Sequence, residues 1–478
     1  MAQINLSRKS YWRTEIAAIV VLLMFVGAVE LAAPTLANGL PAALQLPIGV
    51  ALAVVPAALW MAVFYAQDRA EPEPRQFVVG VALLAALLAA AVGQPLLNGF
   101  FRVASWIHHD TLTELLGSVL IIGVVQEMLK FAAVRFSMYY SSEFDQRIDG
   151  VLYGTASGIG YATMLNLTRV FAAGGFADLG AGVIQIVITA LAQGAIGGLI
   201  GYFLARTRFD HKPLWWMPTG ILLAALLNGV FAWLRSTVSR SALVLNASGI
   251  ASGGYNPLPA LLLSIVVTTA LSALLFILMR RAGEKSETQN VDGHSTASAV
   301  ATFALATVAL ATGLLIRNAV ETRTKVHRDP SGVQISYPDN WRLDTKQAPD
   351  GLLKVREAGD ATSFELRWEA IDDKAADKDA VSRVAGNLAL NRARDLMAYK
   401  TFDITLTPSG TATATSNFVY VTGPGSVLQE SVPVVMLGED RFVRKGARIY
   451  VFTFHTTEAG QDLARTQFER FVQTAVLP

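Results

Sequence analysis

One glutamate stands in the middle of a long apolar run, in Gly123-Val-Val-Gln126-Glu127-Met-Leu-Lys130. An ionisable group in hydrocarbon is costly and is a functional candidate by default. A buried glutamate can serve as a general base. Lys130 follows three residues on, so the two can equally pair on one helix face and fix that helix against its neighbours. Spacing alone leaves both readings open. A second stretch runs Glu143-Phe-Asp145-Gln-Arg-Ile-Asp149-Gly150-Val-Leu-Tyr153-Gly154-Thr-Ala-Ser157-Gly158-Ile-Gly160. Asp149 opens an apolar segment there. Gly154 and Gly158 form a GxxxG pair, which lets helix backbones approach closely. A tight contact between the fourth and fifth spans, beside Glu127, is the expectation.

The chemistry these residues exclude is as informative. The chain has no cysteine and six histidines, His108, His109, His211, His294, His327 and His455. All six fall outside the apolar runs. An intramembrane zinc site wants about three protein ligands from His, Cys or carboxylate, and the membrane part offers one well-placed carboxylate. There is no His-Glu-x-x-His. Asp149 has no clear acidic mate for an aspartyl mechanism, and Ser157 has no histidine within the spans to activate it. No metal or cofactor is expected, zinc entering only if the core is an active protease.

These residues need elements to hold them. The chain has 478 residues, 53% hydrophobic and 16% charged, against about 25% charged in soluble domains. About half of the charges follow Arg323. A helix spans a bilayer with about 20 apolar residues. About nine runs meet that: Ile16–Ala33, Leu46–Tyr65, Phe77–Leu97, Leu115–Met138, Ile148–Phe171, Ala181–Ala205, Leu214–Leu234, Leu258–Met279 and Ala299–Ile316. The expected fold class is an all-α polytopic bundle over residues 1–320, followed by a small α+β soluble domain over 326–478. The Gly283–Ser295 stretch reads as a linker between spans.

Alternate loops carry about 13 lysines and arginines against 4 in the others. That bias sets the N-terminus in the cytoplasm and, after nine spans, the C-terminal domain outside the plasma (inner) membrane. A net charge of +2 gives no reason to expect nucleic acid. In the last domain, strands are expected at Val333–Tyr337, Phe364–Ile371, Phe402–Thr407, Thr411–Thr422, Val432–Leu437 and Arg448–Phe454. Helices are expected at Asp379–Lys400 and Ala459–Ala475. His327 and His455 read as isolated structural or surface histidines.

Three stretches resemble the PrsW family of intramembrane proteases, relatives of the CAAX prenyl proteases. Asp68-Arg-Ala-Glu71-Pro-Glu73-Pro74 is similar to the family's acidic-proline loop. Gln126-Glu127-x-x-Lys130 is similar to its Glu-Glu-x-x-Lys motif. Phe144-Asp145 through Gly160 is similar to its long loop-and-helix motif. The resemblance covers about 65–235 and implies a hydrolase of peptide bonds with catalytic positions at Glu127, Gln126, Asn166, Gln193 and Asn228. Glu71, Glu73, Lys130, Asp145 and Asp149 are implied as supporting residues. The chain departs from the family where it matters: Gln126 replaces a glutamate, Leu165-Asn166 replaces Glu-Asn, and Gln193 and Asn228 stand where the family has histidines. The C-terminal domain, opening Ile335-Ser-Tyr-Pro-Asp-Asn-Trp341, resembles PsbP-like domains.

Three functions are therefore weighed. The first is a non-catalytic PrsW-like scaffold or signalling protein. It would sit in the lipid bilayer, bind single-span membrane segments, and carry an outer domain that binds an unknown ligand. The second is an active glutamate-based endopeptidase acting on such segments. The third is a transporter or channel lined by Glu127 and Lys130.

Overall fold

The computed structural model describes residues 8–32, 41–67, 74–107, 109–172, 179–210, 212–241, 243–246, 249–252, 258–282, 292–344, 353–357, 362–405, 414–422, 434–457 and 460–478. The chain separates into two compact units. One comprises Met1–Val103 and Thr111–Ile316; the other comprises Ala104–Asp110 and Arg317–Pro478.

The first unit is helical. Its helices are α1 (Arg8–Ala32), α2 (Ala42–Gln67), α3 (Arg75–Leu88), α4 (Thr111–Gly117), α5 (Val124–Ser137), α6 (Arg147–Ala172), α7 (Leu179–Phe209), α8 (Trp216–Ser241), α9 (Leu258–Ala282) and α10 (Asp292–Glu321). A short hairpin of β1 (Leu243–Asn246) and β2 (Gly249–Ser252) follows α8. Wider π-helical turns continue α3 through Ala89–Gly93 and Pro95–Phe100, and Ser118–Gly123 join α4 to α5.

Helices overlap every expected span. Among the described residues, six are long and apolar enough to cross a membrane: Ala43–Ala62, Arg75–Phe100, Thr111–Ser137, Gly182–Phe209, Trp216–Arg235 and Thr296–Glu321. Ala17–Val29 and Pro259–Leu275 are apolar but shorter. The expected fifth span, α6, is too polar to qualify. Its face toward the bundle carries small and polar residues because it packs on protein rather than lipid.

That packing corrects the expected partner of the GxxxG face. Gly154 and Gly158 lie against α7, not against the fourth span. A Cβ on Gly154 would sit 2.8 Å from the Cα of Gly201, and one on Gly158 would sit 2.8 Å from the carbonyl carbon of Gln193. Only glycine allows this approach, and it brings Gln193 into the interior. The helix α7 is the axis of the unit, and nearly all of its apolar length is buried.

The second unit holds β3 (Thr324–Arg328), β4 (Gln334–Pro338), β5 (Arg342–Asp344), β6 (Leu353–Arg356), β7 (Ser363–Ala370), α11 (Asp377–Asp395), β8 (Met397–Thr405), β9 (Ala414–Thr422), β10 (Val434–Lys445), β11 (Arg448–Thr457) and α12 (Gln461–Thr474). Seven strands form an antiparallel sheet in the order β5-β6-β7-β11-β10-β9-β8, with β3 and β4 as a separate hairpin. Strand side chains alternate between faces. Tyr450, Phe452 and Phe454 therefore pack with Phe468 and Phe471 of α12, while Ile449 and Val451 pack with Val381, Val384 and Leu388 of α11. In the Tyr337-Pro-Asp-Asn-Trp341 turn the Trp341 N–H donates to Pro338 O at 3.0 Å, and the indole packs tilted against Phe364 with ring centroids 4.5 Å apart.

Three expectations change here. The helix expected through Lys400 stops at Asp395, because Met397 and Lys400 pair with Val421 and Val419 in the sheet. Strands β3, β5 and β6 were not anticipated, and β10 runs on to Lys445. The turn at Gly446, with φ +59, lets β10 and β11 form one long hairpin. Residues 283–291 of the expected linker lie outside the described residues, and α10 already begins at Asp292.

Candidate functional site

The helix α5 grows out of the π-helical turn at Ser118–Gly123, which places Gln126 and Glu127 in its first turn and Lys130 one turn later. All three are buried, Glu127 and Lys130 completely. Burying an ion without partners is prohibitive, so the neighbouring helices must supply them. Lys130 Nζ donates to Glu127 Oε1 at 2.7 Å and to Gln193 Oε1 of α7 at 2.8 Å. Asn228 Nδ2 of α8 donates to Glu127 Oε1 at 2.6 Å and to Gln126 Oε1 at 2.8 Å. Gln193 Nε2 donates to Gln126 Oε1 at 3.0 Å and to Asn228 Oδ1 at 3.2 Å. The result is a closed network binding α5, α7 and α8. Two atoms near the middle of the unit stay outside it: Glu127 Oε2 and the buried hydroxyl of Tyr161 on α6 have no hydrogen-bond partner.

The structure thus brings together four of the five positions expected to be catalytic. Asn166 is elsewhere. Its Nδ2 donates to Ile186 O at 3.2 Å, and its Oδ1 accepts from Arg169 Nη1 at 3.3 Å. Ile186 lies two helical turns from Gln193 on α7, so Asn166 and Arg169 form a separate node with Thr189. Asp149 is buried and accepts the Gln146 N–H at 2.5 Å, capping the start of α6. Asp145 is exposed. Glu71 and Glu73 lie outside the described residues. Tyr161 was missed by the sequence reasoning; an aromatic next to Gly160 is too common a pattern to stand out.

A second polar cluster, also missed, lies in the sheet unit. Arg392 of α11 makes a two-point ion pair with Asp440 at 2.7 and 2.9 Å and reaches Thr453 Oγ1 at 3.2 Å. Beside it, Lys354 pairs with Glu365, and His455 Nε2 lies 3.5 Å from Glu365 Oε1. His455 is therefore neither isolated nor on the surface; it is buried between the rings of Phe418 and Tyr420. Burial pushes the Glu365 carboxyl up, but the contacts with His455 and Lys354 outweigh it and hold the group well below the ordinary glutamate range.

Comparison with known proteins bears on part of the membrane unit. Residues 73–253 match the family model described as PrsW family intramembrane metalloprotease. Similar relatives are the protease PrsW of Geobacillus kaustophilus, 24% identical over 39% of this chain and 78% of that one, and of Bacillus subtilis, 23% identical over 40% and 84%. The protease PrsW of Halalkalibacterium halodurans is 27% identical over 37% and 79%. Residues 317–478 lie outside the family-model match. Over 32% of the chain, a solved structure of cyanobacterial PsbP from Synechocystis sp. PCC 6803 is similar at 14% identity and a TM-score of 0.25, with 92% of that chain covered.

The family description raises the question of a metal. Zinc is held by about four ligands drawn from thiolate, imidazole and carboxylate. At this PrsW-like site the donors are one carboxylate, three neutral amides and an ammonium, and an ammonium has no lone pair to give. Among the described residues there is no group of three or more His, Cys, Asp and Glu able to hold an ion. The residues present do not fit zinc.

Proposed function

We propose that this chain is a PrsW-family homologue that binds membrane segments without cutting them. It would act as a scaffold or signalling protein whose outer domain senses a ligand. The observation that carries this reading is the closed network at Glu127. The carboxylate oxygen that faces its neighbours accepts from Lys130 and Asn228, and Gln193 and Asn228 are themselves committed to Gln126. Hydrolysis needs a base, an electrophile and donors aimed at the developing oxyanion. Here the available donors are held by one another. The proposed topology has about nine spans in the plasma membrane, a cytoplasmic N-terminus and an extracytoplasmic C-terminal unit, supported by the 13-to-4 bias of basic residues. The partners in this reading are single-span membrane segments.

Co-expression with single-span reporters tagged at both ends tests this. Full-length reporter recovered with the chain is the expected result. A half-length product that requires Glu127 contradicts it.

One observation favours a second reading. Glu127 Oε2 accepts no hydrogen bond, so it is the atom that would take a proton from an attacking water in a glutamate-based endopeptidase. That reading requires Glu127→Gln to abolish cleavage while the protein level stays normal.

A further inference from the structure

Two oxygens from two different helices converge on one positive centre in the membrane unit. Glu127 Oε1 of α5 and Gln193 Oε1 of α7 lie 2.7 and 2.8 Å from Lys130 Nζ. The whole arrangement is sealed, since Lys130 and Glu127 are both fully buried. We propose that the Lys130 ammonium is the resident cation of this core, and that the PrsW-like domain takes up no divalent metal there.

Charge balance leads to the same place. The Glu127 carboxylate needs one positive charge in a medium of low dielectric, and Lys130 supplies it from the same helix face. A dication entering beside it would meet an ammonium at close range with a single carboxylate to share between them. The amides complete the argument. Gln126 Oε1 already accepts from Gln193 and Asn228, and Asn228 Oδ1 already accepts from Gln193. The amide oxygens a metal would need are turned toward internal donors, which leaves Glu127 Oε2 as the one oxygen of the cluster without a donor and a single ligand at most. The family resemblance and the donor set therefore disagree, and the disagreement has a structural explanation. This inference holds whether or not the core cleaves peptides, so its failure and that of the scaffold reading are separable.

Metal counting on the purified full-length protein is the test. The wild type and Glu127→Gln are incubated with zinc in detergent, desalted and measured by inductively coupled plasma mass spectrometry. The expected result is no bound equivalent in either. One equivalent per chain in the wild type that disappears in Glu127→Gln overturns the proposal.

A charge-removal pair reads the same claim by stability. Lys130→Met leaves the buried carboxylate without its cation and is expected to lower the melting temperature or prevent folding. Adding Glu127→Gln removes the unpaired charge and is expected to restore folding and raise the melting temperature again. A double variant no more stable than Lys130→Met would show that Lys130 does not act as the counter-cation. Because the comparison is between the single and the double variant, it stays readable even if the single variant fails to fold.

Discussion

Replacing Gly123 with alanine should loosen the polar network without touching any residue in it. A Cβ at this position would lie 2.5 Å from the carbonyl oxygen of Ala225 and 3.0 Å from its carbonyl carbon. The obstruction is α8 backbone, which cannot rotate aside. Ordinary contact begins near 3.4 Å, so α5 and α8 must separate by about 0.9 Å at this level. Gly123 is three residues before Gln126, and Ala225 three before Asn228. The displacement therefore falls on the Asn228 bonds. The 2.8 Å bond to Gln126 would pass the hydrogen-bond limit and the 2.6 Å bond to Glu127 would reach it.

Overpacking of this kind costs about 1–3 kcal/mol, and the better helix propensity of alanine returns up to about 1 kcal/mol. A net loss of roughly 2 kcal/mol is the expectation once the weakened hydrogen bonds are included. Gly80 is the control. A Cβ there meets nothing within 4 Å, so Gly80→Ala should be neutral or stabilising by up to about 1 kcal/mol. Thermal unfolding of the full-length protein in detergent, followed by helical circular dichroism, measures both. Gly123→Ala unfolding at or above the wild-type temperature would refute the idea that backbone proximity sets the network.

Three further outcomes are expected. Arg392→Met strands Asp440 in the interior and should destabilise the sheet unit by about 3–5 kcal/mol, read as its denaturant midpoint, whereas Arg392 and Asp440 replaced together by apolar residues should recover much of the loss. Because the Glu365 carboxyl is depressed in the folded unit, its contribution is present above the ordinary glutamate range near pH ~4.3 and is lost as pH falls through the lowered value; Glu365→Gln should flatten that acid limb, and an unchanged limb would remove Glu365 as its cause. Asp149→Ala should fray the start of α6 at a cost of about 1 kcal/mol, seen as faster amide exchange at Arg147–Gly150 with the Glu127 network intact.

How much was readable beforehand varies by element. The long helices follow from apolar runs because lipid allows little else. Glu127, Lys130, Gln193 and Asn228 could be placed together only through family resemblance, since they come from three helices separated by about 100 residues of chain. Asn166 lies apart from these four, bonded to Ile186 and Arg169. The Gly154 and Gly158 face was visible as a contact surface, but a periodic stripe does not say which helix it meets. In the C-terminal unit, alternation on β11 was legible, while the end of α11 was not, because Leu396–Lys400 is as suitable for helix as for strand until β9 is there to pair with it. The cluster of Arg392, Asp440, Glu365 and His455 joins four separate elements and leaves no local trace.

Reconstitution gives the most direct test of the central claim. Purified full-length protein and Glu127→Gln are placed in proteoliposomes with single-span segments, and the segments are weighed by mass spectrometry over time. The account predicts segments of unchanged mass with both proteins. Fragments that accumulate with the wild type and not with Glu127→Gln would contradict it.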